Sequence, residues 1–160
     1  MNKTGKEKTL FFVKPYIEPQ KAAEIIGYMN YMLTESKFSI LGSFDVDNLS
    51  LSVWKEFYSQ IRPEYPDVFE KMTKSFASSE YGLIGEVIEG KNIMTRVRYI
   101  LGPRIIEDTD PVQIRSAQKY GLYNNPEKES YKTVAHASTE DSLKKDFRIF
   151  AREGIISCFA

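Results

Sequence analysis

Residues 131–150 read YKTVAHASTEDSLKKDFRIF, a short apolar run followed by a segment of helical period. The first part predicts a buried strand, Tyr131 to Ala135, ending on His136, the one histidine among 160 residues. The second part predicts a helix opening at Ser138 or Thr139, either of which can cap the free N–H groups of a first turn. Ser138 and Asp141 also fit a Ser-x-x-Asp capping signal. Leu143, Phe147 and Phe150 fall at i, i+4 and i+7 and form an apolar stripe. Asp146 lies on or beside that stripe, where a carboxylate is costly unless something hydrogen-bonds it. His136, just upstream on the sheet this helix should cover, is a good candidate. A histidine held by a carboxylate keeps one ring nitrogen protonated and leaves the other as nucleophile or base. The residues alone also fit a satisfied core histidine with a solvated aspartate at a helix edge.

Outward from this stretch, Thr9 to Val13 is a continuous apolar run that suits a central strand buried on both faces. Proline ends it at Lys14-Pro15, which leaves Lys14 at the C-terminal end of the strand, a common place for ligand crevices. Pro19 to Leu33 predicts a helix with Ala22, Ile26, Met29 and Leu33 on one side. Phe38 to Val46 alternates in part, as a half-exposed strand would. Leu49 to Ser59 and Pro66 to Ala77 predict two helices broken by Arg62-Pro63. Tyr81 to Glu89 predicts a strand in which Gly82 and Gly85 permit close backbone approach. Asn92 to Leu101 predicts a helix capped by Asn92 and closed by Gly102-Pro103. Asp110-Pro111 predicts the start of a short helix through Tyr120, ended by Gly121, inside a long connection rich in Arg, Asp and Pro. Stripped of the extra helices, this order is the ferredoxin-like split βαβ arrangement, an α+β fold with a four-stranded antiparallel sheet and helices on one face.

A chain 42% hydrophobic and 13% aromatic is enough for one domain with a full core. Its first seven residues are expected to form a loose arm. Lys+Arg and Asp+Glu balance at 22 each, so bulk charge argues for neither nucleic acid nor an anionic membrane. The single Cys158 excludes an internal disulfide and suits a reducing compartment. It stands third from the end, which does not fit a prenylation signal. No apolar run approaches a membrane span and no signal-peptide core opens the chain, so a soluble cytoplasmic protein is expected.

Lys14, Arg98, Arg104, Arg115 and His136 are the candidate chemistry. Several cations around one histidine suit a polyphosphate, because arginine forks match phosphate oxygens. Neither G-x-x-x-x-G-K-[ST] nor G-x-G-x-x-G occurs, and one histidine with one cysteine cannot build a zinc site. No serine sits in a G-x-S-x-G elbow, as a hydrolase of that type needs.

In these motifs the chain resembles the nucleoside diphosphate kinases, from Lys8 to about Phe150. The resemblance rests on Lys-Thr-Leu-Phe-Phe-Val-Lys-Pro (8–15) and Glu56-Phe57-Tyr58. It continues through Gly90-Lys91-Asn92-Ile93 with Arg98 and Leu101-Gly102-Pro103, then Asp110-Pro111 and Ile114-Arg115. It ends with Thr133-Val134-Ala135-His136-Ala137-Ser138 around the position of the family's phosphorylated histidine. It implies a ping-pong transfer in which the γ-phosphate of a nucleoside triphosphate passes to His136 and then to a nucleoside diphosphate. It implies that Lys14 reaches the ribose and phosphate side, that Tyr58 lies close to the histidine, and that Arg98 and Arg115 grip the β- and γ-phosphates. Ser138 and Asp146 would orient the imidazole, Mg2+ would arrive with the nucleotide, and the chain would be a homo-oligomer, tetramer or hexamer.

The departures are specific. Thr133 replaces an asparagine, Asp146 a glutamate one methylene longer, and Tyr16 the aspartate after Lys-Pro. Arg104 stands for a phosphate-contacting threonine. Val112-Gln113-Ile114-Arg115-Ser116 replaces Gly-Thr-Ile-Arg-Gly, so the glycines that shape that loop are gone. Phe69 is the choice for the base-stacking residue, with Val68 and Tyr65 as rivals. Leu122 to Ser130 is longer and more polar than the resemblance implies. These swaps also fit a weakened or inactive domain used as a nucleotide-binding or regulatory module. A nucleic-acid binder is a third reading, disfavoured by the balanced charge and the absence of an aromatic pair on an RNP-like strand.

Overall fold

The computed structural model describes residues 5–104, 108–116, 119–120 and 133–157. Its elements run β1 (Lys6–Val13), α1 (Pro19–Met32), β2 (Phe38–Val46), α2 (Leu51–Phe57), a 3-10 turn (Ser59–Ile61) and α3 (Pro66–Ala77). They continue with β3 (Leu83–Lys91), α4 (Ile93–Leu101), β4 (Ala135–Ala137) and α5 (Leu143–Arg152). The four strands form one antiparallel sheet in the order β2-β3-β1-β4, the ferredoxin-like arrangement of an α+β fold.

β1 is the centre of the sheet because its run Leu-Phe-Phe-Val offers no polar face. Phe11 and Val13 enter a core shared with Ile25 and Met29 of α1 and Val97 and Leu101 of α4. Leu10 and Phe12 enter a second core with Trp54 and Phe57 of α2, Phe76 of α3 and Phe150 of α5. The helices therefore cover both faces of the sheet and not one. The chain at β3 meets both neighbouring strands closely where glycine allows it. A Cβ at Gly85 would stand 2.5 Å from the Phe11 carbonyl oxygen, and one at Gly82 2.1 Å from that of Val46.

Several boundaries move. β1 reaches back to Lys6, into the stretch expected to be a loose arm; residues 1–4 lie outside the described residues. β4 covers Ala135–Ala137 with His136 at its middle, not its end, because pairing with β1 sets its bounds. Lys14 N–H donates to Val134 O at 3.0 Å at one end and Ser138 N–H to Leu10 O at 3.0 Å at the other. Tyr131 and Lys132 lie outside the described residues, as do 122–130, Gly121 and Cys158. The turn that leads into α5 is held by a reciprocal pair, Thr139 N–H donating to Ser142 Oγ at 2.9 Å and Ser142 N–H to Thr139 Oγ1 at 3.1 Å. Ser142 is the N-cap and makes no side-chain cap, so neither Ser138 nor Thr139 caps the helix, and the expected Ser138 and Asp141 pairing does not form. Asn92 sits at φ 54° with no side-chain cap, and Glu7 Oε2 instead accepts the Met94 N–H at 3.3 Å. Residues 110–116 form successive turns rather than the predicted helix, because the N–H groups of Ile114 and Arg115 bond to the end of α4, as shown below. No described helix is long and apolar enough to cross a membrane.

Candidate active site

Pairing with β1 puts His136 opposite Phe12. The imidazole stacks on the Phe12 ring at 5.0 Å between centroids and meets the edge of Phe57 at 5.1 Å. α5 then brings Asp146 beneath it, the first turn having been set by the Thr139–Ser142 pair. His136 Nε2 lies 3.0 Å from Asp146 Oδ2. The same oxygen accepts from Ser138 Oγ at 2.7 Å and from Ser142 Oγ at 3.2 Å. Lys145 Nζ faces the other oxygen, Oδ1, at 3.4 Å. Lys145 also donates to the Phe57 carbonyl and, at 2.9 Å, to Gln60 Oε1, which ties α5 to the segment bearing Tyr58.

The electrostatics assign the proton. Burial works to raise the fully buried Asp146 carboxyl, but the His136 and Ser138 hydrogen bonds and the Lys145 charge outweigh it and hold it below the usual carboxylate range. Burial lowers the imidazole of His136, Asp146 opposes that, and the nearby Lys14 and Arg115 add to it, leaving its pKa below the ordinary histidine value. At neutral pH the pair is a carboxylate and a neutral ring. Nε2 carries the proton to Asp146, so Nδ1 is the nitrogen with the lone pair.

His136 is one wall of a cleft of about 400 Å³. Lys14, Arg98, Arg104 and Arg115 line it as well, with Tyr58 and Thr133, and no described Asp or Glu is part of the lining. Lys14, just past the end of β1, donates to Thr133 Oγ1 at 2.8 Å. The threonine hydroxyl thus provides an oxygen to the lysine from the position where the resemblance has an asparagine. Burial, then Arg115 and Arg104, push the Lys14 amine well below its usual value. Arg115 donates through Nη1 to Gly102 O at 3.1 Å and through Nη2 to Ala135 O at 3.0 Å. Burial, helped by Arg98, brings its pKa down to about 10. Arg115 Nε and the Tyr58 hydroxyl are buried without a hydrogen-bond partner, and burial raises the Tyr58 pKa, with Asp146 adding to it. Buried polar groups left unpaired cost about 1–3 kcal/mol each.

Of the residues expected from the sequence, His136, Lys14, Tyr58, Arg98, Arg104, Arg115 and Thr133 line one cleft, with Ser138 and Asp146 behind the ring. Phe69 does not join them. It is 2% exposed in the core with Met72 and Phe76, and Tyr65 and Val68 line the cleft in its place. Helical spacing signals this outcome, since Phe69, Met72 and Phe76 fall on one buried face of α3. Ser142 and Lys145 escape the sequence reading. Their positions four and one before Asp146 were the available signal.

No family model matches the chain, and no curated protein sequence matches it. Solved structures do resemble it. The apo nucleoside diphosphate kinase of Encephalitozoon cuniculi superposes with a TM-score of 0.71 at 18% identity, over 96% of this chain and 95% of that one. A transition-state mimic of the Borrelia burgdorferi nucleoside diphosphate kinase, with bound vanadate and ADP, gives 0.73 at 19% identity over 98% and 94%. The Aquifex aeolicus nucleoside diphosphate kinase gives 0.65 at 24% identity over 91% and 94%. At these identities the likeness establishes the fold, and this chain has the fold of the nucleoside diphosphate kinases over nearly its whole length.

Proposed function

We propose that the chain transfers the γ-phosphate of a nucleoside triphosphate to a nucleoside diphosphate through a phosphohistidine on His136. The observation that carries this reading is the imidazole held by Asp146 through Nε2, on the wall of a cleft whose described lining has four basic side chains and no carboxylate. In the first half-reaction the Nδ1 lone pair forms a bond to the γ-phosphorus. The bond from that phosphorus to the bridging oxygen breaks, and the diphosphate leaves with the electron pair. The ring becomes cationic while Nε2–H stays on Asp146, whose carboxylate balances the charge. In the second half-reaction a terminal oxygen of the acceptor diphosphate attacks the phosphorus and the P–N bond breaks, restoring the neutral ring.

Arg115, Arg98, Arg104 and Lys14 offset charge on the transferring oxygens. Bound phosphate would also draw the Lys14 amine back towards its charged form. Mg2+ would be held by phosphate oxygens and water rather than by protein carboxylates, and would supply further charge neutralisation there. The base would lie towards Tyr65 and Val68, an apolar surface that stacks without reading hydrogen-bond edges.

Incubation with γ-labelled ATP and magnesium, followed by a GDP chase, tests the reading. Acid-labile, alkali-stable label that moves to GDP and is absent from His136→Ala is the expected result. Protein that binds ATP and never acquires label would leave a nucleotide-binding module and overturn the enzyme reading.

A further inference from the structure

The loop that carries Arg115 has no glycine where the resemblance has two, yet Arg115 reaches the cleft. The C-terminal carbonyls of α4 explain how. A helix leaves its last four carbonyls without intrahelical partners. Here Arg98 O accepts from Gly102 N–H at 2.9 Å, Ile100 O from Ile114 N–H at 3.0 Å and Leu101 O from Arg115 N–H at 2.9 Å. Tyr99 O accepts from Gln113 Nε2 at 2.7 Å, and the next carbonyl along, Gly102 O, takes the Arg115 guanidinium. The run Gln113-Ile114-Arg115 therefore closes α4 carbonyl by carbonyl, and the register of that closure fixes where the guanidinium stands.

Gln113 is the side chain on which the register turns. It is 6% exposed, and both ends of its amide are used, Nε2 on Tyr99 O and Oε1 accepting the Asp110 N–H at 2.8 Å. It packs so close to Gly102, at φ 94°, that a Cβ there would lie 3.1 Å from both Gln113 Cβ and Oε1. The Tyr28 hydroxyl, donating to Val112 O, holds the preceding residue against α1.

We propose that Gln113 is a positioning residue for Arg115, a side-chain brace that does the work loop glycines do elsewhere. The proposal rests on the reading of the cleft as a polyphosphate site, but not on histidine phosphorylation. The test is binding of inorganic tripolyphosphate, followed by calorimetry, to the parent chain, Gln113→Met, Arg115→Ala and the double variant. If Gln113 acts through Arg115, Gln113→Met weakens binding about tenfold in the parent and less than about twofold in the Arg115→Ala background, the non-additivity of coupled residues. Equal weakening in both backgrounds, or none in either, overturns the proposal while leaving the cleft reading intact. A parent chain that does not bind tripolyphosphate overturns both. Should Gln113→Met fail to fold, Gln113→Glu, which keeps the acceptor for Asp110 N–H and loses the donor to Tyr99 O, is expected to show the same dependence on Arg115.

Discussion

Asp146 Oδ2 receives three donors at once, from His136, Ser138 and Ser142. An amide at that position carries no charge and can turn its NH2 to the ring, so it no longer holds the proton on Nε2. Asp146→Asn is therefore expected to lower kcat by roughly 10²–10⁴, the scale seen when a carboxylate that sets a histidine tautomer is neutralised, with KM little changed. Steady-state kinetics check this. The pH dependence gives a second readout at the same residue. His136 titrates below the ordinary histidine value, and only the neutral ring attacks, so the rate of enzyme phosphorylation falls as acid protonates the ring. Asp146 favours the protonated ring, so the Asn variant should move the acid limb to lower pH. A limb that stays in place or moves up contradicts the account. Its one-methylene shortening relative to a glutamate is met by the geometry, since α5 brings the carboxylate to 3.0 Å from the ring.

Among the elements, β3 carries a strain the site does not use. Glu86 is 1% exposed, and burial raises its carboxyl to about 7, against one hydrogen bond from Asn30 Nδ2 at 3.3 Å. Glu86 Oε1 and Asn30 Oδ1 have no partners. A carboxyl whose pKa is raised on folding binds its proton more tightly in the folded state, so stability is full below the unfolded value near 4.5 and falls as pH rises through about 7. Glu86→Gln removes that dependence and gives Asn30 Oδ1 a donor. It is expected to stabilise the protein by up to about 3 kcal/mol at pH near 8 and by far less near pH 4.5, measured by urea denaturation at the two pH values. Equal effects at both would show that Glu86 is not the titrating group.

The elements also show what the sequence could say. α1 and α3 start where Pro19 and Pro66 mark a first turn, and β2 spans Phe38–Val46 as its partial alternation suggests. β4 departs from the apolar run because three residues of pairing to β1 define it. Asp110-Pro111 is a good local start for a helix, yet 110–116 form turns because the N–H groups of Ile114 and Arg115 are taken by α4. The cleft residues were legible as residue types in order along the chain. Ser142, Lys145 and Gln113 were not, because each acts through a distance that only the packed helices create.

For the whole molecule, a formal net charge of zero coexists with a cleft whose described lining brings three arginines and Lys14 together with His136. Such a local field is screened by salt. ATP binding is expected to weaken several-fold between roughly 0.05 and 0.3 M salt, while Arg115→Ala binds more weakly and shows a shallower dependence. A titration of Kd against ionic strength checks this, and a salt-independent Kd would mean that the cations do not meet the phosphates.

The most direct measurement is the intact mass of the protein after brief exposure to ATP and magnesium, with the site of modification mapped under alkaline conditions. The account predicts a gain of one phosphoryl group, carried on Nδ1 of His136, lost on addition of a nucleoside diphosphate and absent from His136→Ala. An unchanged mass in protein that binds ATP, or a phosphoryl group on any other residue, would contradict it.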